Sequence, residues 1–190
     1  MLQSEQIRWT TPDKLWAVSE NEGRPGATDP VTEAAITGAA LVRHLDDFRF
    51  ASLRALRQLH RALGAERVAV GLIAADGRSI REELAWAGGF GRCGESERVI
   101  SCEAFAVDMS AWLATRSCTL ELAIDGSASA WHELACDHLK LVRGGRVIEG
   151  HGQVVLVVQT RNPSRLADGA DHAMAILLDE YGRRRQTVSA

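Results

Sequence analysis

Two histidines and a cysteine in the last third of the chain have the side-chain types of a metal site. The stretch HLKLVRGGRVIEGH begins with His138 and ends with His151, and Cys136 precedes it by two residues. If the central Gly-Gly pair forms a two-residue turn, the flanking strands pair so that His138 faces His151. Cβ atoms of directly opposed residues lie about 4.5–5.5 Å apart. Two imidazoles and a thiolate at that spacing could hold a soft divalent metal, although the local sequence supplies no fourth ligand. An exposed or interface histidine pair is the alternative.

Two glycines in the same stretch predict a hollow in the sheet. The predicted pairing puts Gly150 opposite Leu139, and Gly152 follows on the same side of the strand. Glycine inside a strand often marks the close approach of another backbone or of a ligand. We therefore expect a ligand pocket lined by Gly150, Gly152, Leu139 and Trp112, with segment 88–116 as its roof. Tight helix packing or a β-bulge is the alternative.

The alternation of side chains along these two strands predicts which face of the sheet is the core. Apolar residues share one face, whereas polar residues share the other. The predicted core face carries Leu139, Leu141, Ile148, Val154, Leu156 and Val158. The predicted polar face carries Cys136, His138, Lys140, Glu149, His151 and Gln153.

The first half of the chain predicts two helices and a β-hairpin. Asp29-Pro30 is a typical helix start, and the helix could continue to about Val42. Residues 46–63 have a clear apolar stripe at helical spacing, which Gly64 ends. The run RVAVGLIAA (67–75) then meets Asp76-Gly77, a strong hairpin signal that pairs Ile73 with Ile80.

The second half predicts a three-stranded meander and a closing helix. Asp125-Gly126 and Gly144-Gly145 are its two predicted turns. The closing helix covers Leu166 to Tyr181, with Arg183 to Arg185 at its end, where positive charge suits the helix dipole. We therefore expect an N-terminal arm with short helices over residues 1–45 and an α+β domain over 46–185, an antiparallel sheet flanked by helices.

Composition narrows the classes of function. The chain has 190 residues and a net charge of −3, which argues against a general nucleic-acid binder. The four cysteines include no C-x-x-C pair, so free thiols are expected. The start lacks the pattern of a signal peptide, and no apolar run is long enough to span a membrane. We expect a cytoplasmic protein that binds neither nucleic acid nor membrane.

The order of these elements resembles that of GAF and PAS sensor domains over residues 46 to 184. The stretch VVLVVQTRNPSRLADGADHAMAILLDEY looks like the last strand and helix of a GAF domain. Bilin-binding GAF domains use a Cys-His dipeptide, which this sequence lacks. The resemblance implies a non-catalytic sensory domain that binds a small molecule between sheet and helices, and a homodimer.

Two other functions remain open. Roadblock domains are similar in element order and act by dimerising and docking on small GTPases, without a ligand. A metal-binding or small-molecule enzyme using His138 and His151 is the third possibility. The sequence identifies no cofactor.

Overall fold

The computed structural model describes residues 28–74, 77–88, 93–96, 98–101, 117–121, 138–148, 152–161 and 170–189. The helices in these ranges are α1 (Pro30–His44), α2 (Phe48–Leu63) and α3 (Asp171–Ser189). The strands are β1 (Arg67–Ile73), β2 (Ser79–Ala87), β3 (Cys93–Glu95), β4 (Val99–Ser101), β5 (Ser117–Glu121), β6 (His138–Ile148) and β7 (Gly152–Thr160).

The first two helices begin and end at their capping residues. The Asp29 carboxylate accepts a hydrogen bond from the Thr32 N–H (2.9 Å), and Asp47 does the same for α2. Gly64 ends α2 in the left-handed conformation (φ 55°), which glycine adopts without a steric cost. Both predicted helices are therefore confirmed. Because α1 packs against α2 and α3, it belongs to the helix layer. The predicted domain division at residue 45 stays a prediction.

The sheet is antiparallel, with strand order β3-β2-β1-β7-β6-β5. The short strands β3 and β4 both pair with β2, one along each half of its outer edge. The predicted early hairpin (β1–β2) and three-stranded meander (β5–β6–β7) are confirmed, and so is the α+β class. Ile73 pairs with Ile80 as predicted, and the Gly77 N–H donates to the Ala74 carbonyl (2.9 Å) at the turn. Asp76 and the predicted Asp125-Gly126 turn lie outside the described residues.

The predicted turn at Gly144-Gly145 is wrong. These glycines lie inside β6, and the strands reverse between Ile148 and Gly152, which pair with each other. The pairing of β6 with β7 shifts between Arg143 and Val147, so the glycines form part of a β-bulge. Asp179 of α3 explains why the chain does not turn here. Its Oδ1 accepts hydrogen bonds from the Gly145 N–H (2.7 Å) and the Arg146 N–H (3.2 Å).

The change of register also overturns the predicted faces of the sheet. Leu141 pairs with Val157, and Lys140 pairs with Val158, so Leu141 and Val158 lie on opposite faces. The face that packs on the helices, here called the helix face, has this sheet core: Val68, Val70, Leu72, Leu84, Val142, Ile148, Val154, Leu156 and Val158. The opposite face, here called the second face, has its own buried apolar cluster: Ala69, Ile73, Ile80, Ile100, Leu139, Leu141, Val155 and Val157.

Lys140 shows the consequence most clearly. It was predicted on a polar face, yet its side chain is completely buried on the helix face. Its Nζ lies 2.6 Å from a carboxylate oxygen of Asp171, in the first turn of α3. A buried ammonium is stable only with such a partner, and that partner comes from a helix 31 residues further along the chain. The predicted polar face is therefore wrong.

The closing helix is confirmed, but it continues beyond the predicted Tyr181 to Ser189. The arginines predicted to sit at its end lie inside it: Arg183 binds Glu180 of the same helix, whereas Arg184 and Arg185 bind neighbouring elements. Arg184 donates hydrogen bonds to the carbonyl oxygens of Arg43 (3.1 Å) and Leu45 (3.1 Å). These bonds give partners to carbonyl groups at the C-terminal end of α1 that have none within the helix. The helix-dipole interpretation of these arginines is replaced by these contacts.

The space between the helices and the sheet is filled. A cavity lined by Val42, Leu156 and Tyr181, among others, has a volume of about 10 Å³, which is roughly the space of one water. The helix face therefore offers no room for a ligand at that point. No helix in the described ranges is long and apolar enough to cross a membrane.

Candidate functional site

A buried polar cluster lies on the second face of the sheet. The guanidinium of Arg67 contacts both carboxylate oxygens of Glu82, and Ser96 Oγ donates to Glu82 Oε2 (2.9 Å). The Glu82 side chain is fully buried, and that of Arg67 is 16% exposed. A bidentate pair of this kind combines charge with fixed geometry. The cluster therefore links β1, β2 and the residue that follows β3.

Small residues make room for this cluster. Along β1, Arg67, Ala69 and Gly71 alternate onto the second face, and Gly71 pairs with Glu82. The long Arg67 side chain can therefore lie over Ala69 and Ala85, which pair with each other, and reach Glu82. A Cβ at position 71 would overlap the backbone of Arg81 and Glu82, so only glycine fits there.

Two consecutive glutamates of β2 lie on different faces of the sheet, as the alternation of a strand requires, and a β-bulge lies at the second of them. Val70 pairs with Leu84, but Gly71 pairs with Glu82, so Glu83 is the extra residue. Glu82 lies on the second face. Glu83 lies on the helix face, where it binds Arg185 (2.7 Å) and accepts a hydrogen bond from the Tyr181 hydroxyl (3.1 Å). Burial raises the pKa of Tyr181, with the negative charge of Glu83 adding to the shift, and the hydrogen bond to Glu83 raises the pKa of Arg185.

Gln159 extends the polar end of the second face. It pairs with Arg67 on one side and with Leu139 on the other, both of which lie on this face. The residue is 1% exposed, and its Nε2 has no hydrogen-bond partner among the residues that the structure describes. At the far end of the same face, Arg143 donates to Gln153 (3.0 Å), and burial lowers the pKa of this arginine. The described part of this face thus consists of the apolar cluster, here called the floor, with polar groups at both ends.

This arrangement is suited to binding and orienting a molecule. The apolar floor favours burial of apolar surface, while a small number of fixed polar groups would set the orientation. The positive charge of Arg67 is matched by Glu82, so this pair leaves no net charge on the floor. No helix of the described ranges packs on the second face, since all three contribute to the core of the helix face.

The metal-binding role of Cys136, His138 and His151 stays a prediction, but the strand pairing from which it was inferred is not observed. His138 pairs with Thr160 and not with His151, so the predicted pairing of the two histidines is wrong. Cys136 and His151 lie outside the described residues. Within the ranges that the structure describes, no three His, Cys, Asp or Glu side chains are grouped so that they could hold a metal ion.

The predicted ligand residues are separated by the new register. Leu139 is buried on the second face and pairs with Gln159, whereas Gly152 pairs with Ile148 at the other end of the hairpin. Gly152 has a φ of +99°, and a Cβ there would overlap the Ile73 carbonyl oxygen. Close approach of the neighbouring strand therefore accounts for this glycine. Gly150 and Trp112 lie outside the described residues, and the ligand-binding role of all four residues stays a prediction.

Sequence reasoning missed Arg67, Glu82, Ser96 and Gln159. One signal was available, because the hairpin strand RSIREELAW has two consecutive glutamates before the apolar stretch Leu84–Trp86. Strand alternation puts one of the two on each face of the sheet. A buried glutamate on one face was therefore a possible interpretation.

Solved structures that superpose on this chain allow its fold to be compared with those of known proteins. No protein-family model matches the chain, and no curated protein matches it. The GAF domain of an Acinetobacter phosphoenolpyruvate-protein phosphotransferase superposes with a TM-score of 0.60 at 12% identity, covering 86% of this chain and 96% of that one. The phycocyanobilin-bound GAF domain of a cyanobacterial phytochrome superposes with a TM-score of 0.59 at 8% identity, covering 85% of this chain and 96% of that one.

A third similar structure belongs to an enzyme. Free methionine-R-sulfoxide reductase from Neisseria meningitidis, solved in complex with its substrate, has a TM-score of 0.59 at 12% identity and covers 89% of this chain and 99% of that one. At such low identities these similarities concern the fold. They show that the chain has a GAF-like fold.

Proposed function

We propose that this chain is a non-catalytic sensory domain that binds a small molecule on the second face of its sheet. The observation that carries the proposal is the buried Arg67–Glu82–Ser96 cluster at the edge of an apolar floor. Small-molecule sites combine such a floor with a few fixed polar groups. On the helix face, the cavity beside Val42, Leu156 and Tyr181 measures about 10 Å³, which is too small for such a ligand.

The similar structures support the binding of a small molecule. One is a GAF domain with bound phycocyanobilin, and another is a reductase in complex with its substrate. A GAF-like fold can therefore hold molecules of very different size. In the proposed site, Leu139 belongs to the floor, and Trp112 belongs to the segment 88–116 that would cover it.

Native mass spectrometry of the freshly purified chain tests the proposal. We expect a bound small molecule, and we expect the chain to be a homodimer. Ala85 is partly buried beside the second-face cluster, so Ala85→Leu should fill space there and remove the bound mass. Ala62, which is partly buried beside the helix-face core, provides the matched control. Ala62→Leu should keep the bound mass.

The outcome separates the sensory domain from its main rival. A dimer without any bound mass, in a sample whose second-face methyl signals also fail to respond to added metabolites, would contradict the proposal. It would favour the roadblock-like interaction module instead. Retention of the ligand in Ala85→Leu together with its loss in Ala62→Leu would show that binding occurs at the helix face.

A further inference from the structure

The side-chain amide of Gln159 is a buried hydrogen-bond donor. It lies on the second face between Leu139 and Arg67, and 1% of the residue is exposed. Within the described part of the chain, no acceptor lies within hydrogen-bond distance of its Nε2. Buried polar groups in folded proteins are nearly always satisfied, so such an exception needs a physical reason. A ligand that brings an acceptor to this point would supply it.

The charges beside Gln159 already neutralise each other. Both oxygens of Glu82 contact the Arg67 guanidinium, and Ser96 donates to the same carboxylate. A ligand anion would have to compete with Glu82 for Arg67, and a ligand cation would have to compete with Arg67 for Glu82. Burying a net charge without a free partner is costly. This end of the floor therefore disfavours charged groups of either sign.

Between its two polar ends, the described floor is apolar. Its central side chains are alanine, valine, leucine and isoleucine, and the cluster residues are at most 7% exposed. Such a surface favours apolar ligand atoms because their burial removes them from water. The Gln159 donor at one end would then fix which way the ligand points.

Resting on the proposed function, we propose that the ligand is an uncharged, mostly apolar molecule whose carbonyl-type oxygen accepts a hydrogen bond from Gln159 Nε2. Because a buried donor left unpaired costs free energy, an analogue that lacks this oxygen should be rejected. The proposal concerns the class of ligand and the role of one residue. Whether the site exists is tested by the experiments on the proposed function.

Four probes of similar size test this inference. Acetophenone has the acceptor, ethylbenzene lacks it, benzoate is an anion and benzylamine is a cation. Titration is followed by methyl NMR, with Ile73, Ile80, Val155 and Val157 reporting the second face and Val154 and Leu156 reporting the helix face. We expect acetophenone to shift the second-face methyls with at least about tenfold higher affinity than the other three probes.

Variants then assign the contact to Gln159. Gln159→Leu should lower the affinity for acetophenone by about tenfold, to the level of ethylbenzene. Gln159→Met preserves the side-chain length and serves as a second variant if the first does not fold. Gln58→Leu makes the same change on α2, away from the second face, and should leave the affinity unchanged.

The results distinguish this inference from the proposed function. Stronger binding of benzoate or benzylamine at the second face would overturn the inference while supporting the site. Equal binding of acetophenone to the parent and to Gln159→Leu would do the same. If no probe shifts the second-face methyls and the purified chain carries no bound mass, the proposed function fails.

Discussion

Glu82 and Glu83 are consecutive residues that bind arginines on opposite faces of the sheet. Glu82 contacts Arg67 on the second face, and Glu83 contacts Arg185 of α3 on the helix face. Strand alternation places consecutive residues on opposite faces, and the β2 bulge at Glu83 leaves Leu84 on the helix face as well. One peptide unit therefore connects the face proposed to bind a ligand with the helix layer.

The Glu83 contacts predict a loss of stability when its charge is removed. Glu83→Gln weakens the pairing with Arg185 and Tyr181 in surroundings where the Glu83 and Arg185 side chains are only 19% and 14% exposed. We expect the free energy of unfolding to fall by about 1–3 kcal/mol, measured by urea denaturation. Glu95→Gln is the control, since Glu95 and Arg49 form an exposed pair that should contribute little. Equal effects of the two substitutions would contradict the prediction.

The buried pair of Lys140 and Asp171 predicts a strong asymmetry between single and double substitutions. Asp171→Asn leaves the Lys140 ammonium buried opposite a neutral group, which should lower the free energy of unfolding by about 3–5 kcal/mol. Adding Lys140→Met removes the buried charge and should restore most of that loss. Thermal and urea unfolding of the two variants measure the difference. A double variant no more stable than Asp171→Asn would argue against a charge-based explanation.

Gly152 predicts intolerance to any side chain. Its φ is +99°, and a Cβ would overlap the Ile73 carbonyl oxygen. Gly152→Ala should therefore lower the free energy of unfolding by about 1–3 kcal/mol or more, because backbone strain adds to the overlap. Gly145→Ala is the matched control, since its Cβ would lie an ordinary 3.6 Å from Asp179 and its N–H would be kept. Similar melting temperatures for the two variants would show that the strands can separate locally at little cost.

His60 predicts a pH-dependent stability. Burial lowers the pKa of its imidazole below the usual value of about 6.5, so the folded chain binds this proton less tightly than the unfolded chain does. The contribution is complete well above that usual value and is lost as the pH falls through it towards the lowered pKa of the folded chain. His60→Gln should flatten this part of the curve of unfolding free energy against pH. His44→Gln changes an exposed histidine and should leave the slope as it is. An unchanged slope in His60→Gln would assign the pH dependence to other groups.

The sequence predicts those parts of the fold whose signals are local. The caps at Asp29 and Asp47 and the Asp76-Gly77 signal act within a few residues, and the helices and the first hairpin agree with them. Gly144-Gly145 carries an equally strong local signal, but Asp179 binds this segment from 34 residues away. A prediction made from the turn residues alone takes no account of such a contact.

The candidate site was harder to predict for the same reason. The register of β6 against β7 decides whether Lys140 or Leu139 faces the helices. Because the turn was predicted at Gly144-Gly145, both residues were assigned to the wrong face. Gln159 follows a run of apolar residues, and nothing in its neighbours indicates that its amide is buried without an acceptor. That property exists only once three strands lie side by side.

The Asp179 contact with the β6 bulge also determines how that segment exchanges with solvent deuterium. Gly145 is exposed, yet its N–H is held by a carboxylate of α3 and not by a neighbouring strand. Its protection from exchange therefore depends on the docking of a helix, while the amides of the regular ladder depend on the opening of the sheet. The Gly145 amide is thus a single-residue reporter of whether the C-terminal helix is seated.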